Sequence, residues 1–208
     1  MAITDDTGAQ PAIETARQRP GKTAIMRAAI AVMGEVGYEA ASVRDMAARA
    51  NVSVAALYYH FPSKADLLRE FLDEAWDVSV SRVERRLRLA GDDPFDRLDT
   101  VVATLVAGQI HDDFAKLASN VALRDYTRLA TPERKVIERK YGRLRRIVER
   151  VIAGGVDAGV FTIAEAGVGA KAVLALTNNL AQALAAEGRP MPDVITIVQR
   201  LSRAIATS

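Results

Sequence analysis

After about Lys22 the apolar residues recur at intervals of three to four, and no run with the period of two that marks a half-buried strand is found. The first helical segment is Lys22–Val36, with Ile25, Ala29, Val32, Met33 and Val36 on one face, and Gly37 closes it. Ser42 with Asp45 three residues on forms a shortened capping box, so a second helix is expected over Val43–Ala50, burying Val43, Met46 and Ala47. Asn51 stops it, because Asn tolerates the left-handed backbone of a tight turn. Ser53 caps a third, short helix, Val54–His60, which Pro62 ends. Ser63 with Asp66 then opens a long fourth helix, Lys64–Leu89, whose inner stripe is Leu67, Leu68, Phe71, Ala75, Val78 and Val83.

The run Gly91-Asp92-Asp93-Pro94 breaks the pattern, and Asp93 as cap with Pro94 at the first helical position starts a fifth helix. It carries Leu98, Val101, Val102, Leu105 and Val106 and reaches about Ile110. Asp113–Leu129 reads as one or two shorter helices. Thr131-Pro132-Glu133 opens another, expected to end near Ala153 at the Gly154-Gly155 pair and Gly159. Thr162 and Glu165 form a further capping box, followed by an Ala/Leu-rich helix to about Ala186 that is apolar nearly all round. The last helix is Asp193–Ala206, with Val194, Ile197, Val198, Leu201 and Ile205 as its stripe. The expected fold is all-α. A flexible arm covers 1–21, a three-helix domain with its connecting helix covers 22–90, and a second helical domain covers 91–208.

Composition narrows the function classes. Of 208 residues half are apolar and 5% aromatic, enough chain to bury a substantial core. Cysteine is absent, which excludes disulfides and thiolate metal sites. His60 and His111 lie far apart, and His111-Asp112-Asp113 are neighbours that point in different directions on a helix, so no metal or other cofactor is expected. No Ser/His/Asp grouping, Gly-rich phosphate loop or HExxH motif occurs, so an enzyme is not expected. No stretch of about 18 apolar residues suggests a membrane span. The first twenty residues lack a signal-peptide core, and a soluble, cytoplasmic protein is the expectation. A net charge of +2 says little about partners by itself, since clustering matters more than the sum.

Clustering is what the second and third helices supply. Two short helices joined by a tight turn are the helix-turn-helix arrangement, whose second member enters the major groove of DNA. Ala47 is small enough for a close crossing, and Val52 and Leu57 can plug the space between the helices. Arg44, Ser53, Tyr58, Tyr59, His60 and Lys64 are left for the surface, and they supply the hydrogen-bond donors and charge that phosphates need. Each also has a plainer role: the serines are helix caps, and Tyr58 and Phe61 can serve as core aromatics.

The segment Ser42-Val43-Arg44-Asp45-Met46-Ala47, then Asn51-Val52-Ser53, then Ala56-Leu57-Tyr58-Tyr59-His60-Phe61-Pro62-Ser63-Lys64 closely resembles the signature of the TetR family. The resemblance covers roughly Ala24–Phe71. It implies a homodimeric repressor that binds a palindromic operator and is released by a small molecule. It also implies phosphate contacts at Ser42, Tyr58, His60 and Lys64, and base-edge contacts at Arg44, Val54, Ala55 and Tyr59. Val54-Ala55 stands where many members have Lys-Gly, which favours apolar contact with thymine methyl groups and leaves Arg44 to read guanine.

For the second domain, the effector-lining candidates are Leu105, Gln109, Phe114, Leu117, Val121, Tyr126, Tyr141, Leu144 and Asn178. Gln109 and Asn178 are the telling ones, because a buried amide needs a partner. The last two helices can pair with those of a second copy to make a four-helix dimer interface. Leu123-Arg124-Asp125, Thr131-Pro132-Glu133-Arg134, Tyr141, Arg145-Arg146 and Gly154 to Phe161 are similar to a subgroup whose members often sense acyl-CoA thioesters. Against a CoA contact, Arg139, Arg143, Arg146 and Arg150 fall opposite Ile137, Tyr141, Leu144, Val148 and Val151, as on a solvated helix face. The alternative to a ligand-released repressor is a ligand-independent or activating regulator with the same reading head.

Overall fold

In a computed structural model, the structure describes residues 21–111 and 130–208. The arm over 1–20, the helices expected within 113–129, and the candidates Phe114, Leu117, Val121 and Tyr126 lie outside the described residues.

The described chain is helical. The order is α1 (Lys22–Val36), α2 (Val43–Arg49), α3 (Val54–His60), α4 (Lys64–Leu89), α5 (Pro94–His111), α6 (Thr131–Asp157), α7 (Ala166–Ala175), a π-helical turn Leu176–Leu180, α8 (Ala181–Ala186) and α9 (Met191–Ala206). The expected caps hold: the Oγ of Ser42 accepts from the Asp45 amide at 3.1 Å, that of Ser53 from Ala56 at 3.0 Å, and that of Ser63 from Asp66 at 3.0 Å. The Asp96 amide donates to Asp93 at 2.9 Å, fixing the start of α5. Asn51 takes a φ of 54°, the left-handed turn between α2 and α3.

α1 packs on α2 and on α4, and α3 packs on α2. α4 then runs on against α5 and α6, α5 lies against α6 and α9, and α7 lies on α6. The two halves share one continuous apolar core. A charge seam ties α6 to α4: the Lys140 ammonium lies 2.9 Å from Asp73 and 2.7 Å from Asp77, and Arg143 reaches Glu84 at 3.1 Å. Arg139 joins the seam at Asp73, 3.4 Å away. Arg139, Arg143, Arg146 and Arg150 are all exposed, as the sequence reading has them, and the facing α4 carboxylates, which could not be seen from α6 alone, add surface ion pairs to the first two.

Other expectations change. Val78 is exposed. The rest of the expected α4 stripe, Leu67, Leu68, Phe71, Ala75 and Val83, is buried, Leu72, Trp76 and Val80 join it, and Val78 lies about 200° around the helix from Trp76. Val36 is exposed because α1 leaves the core in its last turn. α6 continues through Gly154 and Gly155 to Asp157, and the chain turns at Gly159 with a φ of 71°. Gly155 is needed there: a Cβ on it would lie 2.1 Å from a ring carbon of Phe161. The Thr162–Glu165 box does not form. The amides of Thr162 and Ile163 donate instead to the Ala206 carbonyl at 3.0 and 3.1 Å, pinning the end of α9. The long helix expected to Ala186 is interrupted by the π-helical turn.

Candidate nucleic-acid interface

α2 and α3 are held from behind. Met46, Ala47, Leu57 and Phe61 are buried, and the Val52 amide donates to the Ala47 carbonyl at 3.0 Å, closing the turn. With those residues inside, the helical period turns Ser53, Val54, Ala55, Tyr58 and Tyr59 outward together, and all five are exposed. Tyr59 is 85% exposed, and its ring meets His60 edge-on at 5.3 Å. Ser42 and Arg44 are exposed at the start of α2. An exposed aromatic, an arginine and hydroxyls on one compact helix pair are the groups that a DNA groove and its flanking phosphates accept.

His60 and Lys64 are less open than these. His60 is half-buried and borders a cleft of about 560 Å³ shared with Lys22, Asp66, Arg139 and their neighbours. Lys64 donates to the carbonyls of Ala41 at 3.1 Å and Glu39 at 3.3 Å, with its ammonium 4.5 Å from the Tyr38 ring centre. Burial pushes its pKa down, and Glu39 partly opposes that. In this position Lys64 clamps the loop before α2 to the start of α4. A second brace was missed in the sequence: Arg49 makes a forked pair with Glu35 at 2.7 and 2.8 Å, tying the end of α2 to α1. The hydrogen bond between them, more than their charges, holds Glu35 below and Arg49 above its ordinary pKa. Fourteen residues separate the two, beyond any helical spacing, so no local pattern announces the pair.

The effector candidates within the described residues fall in the second half. Leu105 and Leu144 are buried. Gln109 donates to Asn178 at 3.1 Å and accepts from Gln182 at 3.1 Å, an amide ladder from α5 to the π-helical turn and α8. Tyr141 is half-buried and stacks edge-on against Trp76 at 6.0 Å. Burial raises its pKa and Arg145 lowers it. Gln182 and Trp76 were not singled out in the sequence. The indole N–H of Trp76, a residue 6% exposed, has no hydrogen-bond partner among the described residues. Among the described residues no group of His, Asp or Glu could hold a metal ion, and no helix is long and apolar enough to cross a membrane.

Residues 25–71 match the family model described as bacterial regulatory proteins, tetR family, and residues 91–201 match that of the tetracyclin repressor-like C-terminal domain. The HTH-type transcriptional repressor KstR of Mycolicibacterium smegmatis is 38% identical over 88 residues, 42% of this chain and 43% of KstR. The match thus spans less than half the length of that relative. A bacterial regulatory protein of the tetR family from Rhodococcus RHA1 superposes with a TM-score of 0.79 at 20% identity, over 89% of this chain and 96% of that one. The structure of AibR in complex with isovaleryl coenzyme A and operator DNA superposes with a TM-score of 0.76 at 19% identity, over 86% and 96%. These likenesses carry the same architecture, an N-terminal helix-turn-helix followed by a helical C-terminal region. With one family model on the helix-turn-helix and the other spanning more than half of the chain, this protein belongs to the TetR family of DNA-binding transcriptional regulators.

Proposed function

We propose that this protein is a cytoplasmic repressor that grips a palindromic operator as a homodimer and lets go when a small organic effector enters its C-terminal region. The observation that carries the reading is the outward face of α3, with Tyr59 almost wholly in solvent and its back sealed by Leu57 and Phe61. In this reading Ser42, Tyr58 and His60 hold phosphates, and Arg44, Val54, Ala55 and Tyr59 meet base edges. Lys64 acts one step back, by fixing the loop that presents Ser42. The working division is a reading head over 22–90 and a sensor over 91–208, preceded by an arm over 1–21.

Dimerisation is supported by α9. Val194 and Val198 face inward, while Ile197 and Ile205 are half-buried and Leu201 is 41% exposed on the next face. Such an apolar stripe suits a second copy of itself, and a two-fold pair can place two α3 helices about 34–36 Å apart, one turn of DNA. The sensor reading is supported by the Gln109–Asn178–Gln182 ladder, the unpartnered Trp76 N–H, and the one long helix α4 joining head to sensor. That AibR was solved with an acyl-CoA makes CoA thioesters the first effectors to try. The effector acts only through its difference in affinity for the two states, and DNA must weaken effector binding by the same factor.

The test is selection of duplexes from a random library with the purified protein, followed by titration of the selected duplex. A palindromic consensus bound by a dimer, with binding weakened by one of a series of short- to long-chain acyl-CoA thioesters or the matching free acids, is the expected result. A dimer that selects no sequence at low salt refutes the DNA reading. Selection with no response to any of the series supports the ligand-independent regulator.

A further inference from the structure

A second cavity lies away from the amide ladder. Between the last turns of α4, the start of α5 and the C-terminal half of α6 is an open cleft of about 510 Å³. It shares no residue with the effector candidates. Its floor is apolar: Leu87 is half-buried, and Ile147 and Val151 are buried. Its rim carries three guanidinium groups, Arg88 from α4, Arg97 from α5 and Arg150 from α6.

The charge balance sets these arginines apart. Along the rest of the α4–α6 seam the cations face carboxylates, as Lys140 does with Asp73 and Asp77. Two carboxylates also border the cleft. Glu84 is engaged by Arg143 through both oxygens, at 3.1 and 3.3 Å, which leaves Asp92 as the remaining acid. Arg97 spends one donor on the Gly91 carbonyl at 3.3 Å. Arg88 and Arg150 are exposed and make no ion pair or hydrogen bond in the described structure. A guanidinium is a rigid fork matched to carboxylate and phosphate oxygens, and three of them over an apolar floor suit an anion with an oily body. The volume lies within the range of small-molecule sites, roughly 300–1,000 Å³, and far exceeds a bare oxyanion.

We propose that this cleft is a binding site for an amphiphilic organic anion, in which Arg88, Arg97 and Arg150 hold a carboxylate or phosphate head while Leu87, Ile147 and Val151 cover the apolar body. Because the cleft spans α4 and α6, an occupant would brace the far end of the helix that carries the reading head.

The test uses the full-length protein and 8-anilinonaphthalene-1-sulfonate as a fluorescent probe, excited by transfer from Trp76, the sole tryptophan. Sodium dodecanoate, dodecyl phosphate, dodecan-1-ol and adenosine monophosphate are compared as displacers. At least one of the two anionic amphiphiles is expected to displace the probe at least tenfold better than the neutral alcohol and the nucleotide. Preference for dodecanoate assigns a carboxylate head, and preference for dodecyl phosphate a phosphate head. In R88Q/R150Q the advantage over the alcohol is expected to vanish. Gly154→Leu is a second, independent block, because Gly154 lines the cleft and a Cβ there meets nothing within 4 Å. Equal displacement by the alcohol, or anion binding unchanged in both folded variants, overturns the proposal. The readout does not involve DNA, so its failure would leave the repressor reading standing.

Discussion

The side-chain amide of Gln109 donates to the oxygen of Asn178 across 3.1 Å, although 69 residues separate them in the chain. Asn178 sits in the π-helical turn, where one wide turn re-aims the side chains of an otherwise α-helical segment. The bond joins α5, which packs on α4, to the segment that carries α8. Replacing Asn178 by Ala removes an acceptor from a buried amide, and the expected cost is about 1–3 kcal/mol in chemical denaturation. A double replacement, Gln109→Met with Asn178→Leu, should cost less than the sum of the two singles. Strict additivity would mean that the two amides are not coupled.

Tyr59 makes no contact that the fold depends on. Tyr59→Ala should leave the melting temperature within about 2 °C of the parent, since exposed substitutions change stability by less than about 0.5 kcal/mol. Binding to the selected duplex should weaken by about 1–3 kcal/mol, the usual worth of a base contact. Fluorescence anisotropy on that duplex and on a scrambled one separates the effects: loss on the selected duplex alone marks base readout, and equal loss on both marks a backbone contact.

Lys64 is predicted to act on the loop rather than on phosphate. Lys64→Met should destabilise the protein by about 1–2 kcal/mol, because two carbonyls lose a charged donor. The slope of log affinity against log salt should stay unchanged. A phosphate contact would lower that slope by about 0.9 on replacement, so the slope decides the matter.

Gly155→Ala forces a Cβ into the ring of Phe161, which is itself 2% exposed and has nowhere to retreat. Overpacking of this kind costs roughly 1–3 kcal/mol, despite the gain in helix propensity. Gly154→Ala, one residue away in open space, should be neutral or slightly stabilising. Thermal melts of the two variants should therefore move apart, with Gly155→Ala the lower.

The start of α4 should weaken in acid. The hydroxyl of Ser63, and after it Arg69, holds the Asp66 carboxyl below its ordinary value of 3.8. A depressed folded value means that the stabilisation is complete above that ordinary value and is lost as the pH falls through the folded one. The stability difference between the parent and Asp66→Asn should thus be constant near neutrality and shrink in strong acid. A difference that grew as the pH fell would contradict this assignment.

Much of the reading head was legible in the chain because its determinants are local. Ser42, Ser53 and Ser63 cap helices within three residues of themselves, Asn51 supplies a left-handed turn from its own side chain, and periodicity alone turns Tyr59 outward and Leu57 inward. What the sequence could not decide depends on partners brought from far away. Gly154 and Gly155 look like a helix end until the Phe161 ring is seen against one of them. Arg139 and Arg143 stay exposed, yet that Asp73 and Glu84 of α4 face them is invisible from α6, and Lys64 looks free until the loop carbonyls close on it. Caps, turns and periods are set by bonds between near neighbours. Packing, ion pairs and cavities are set by which faces meet, and that only the folded chain decides.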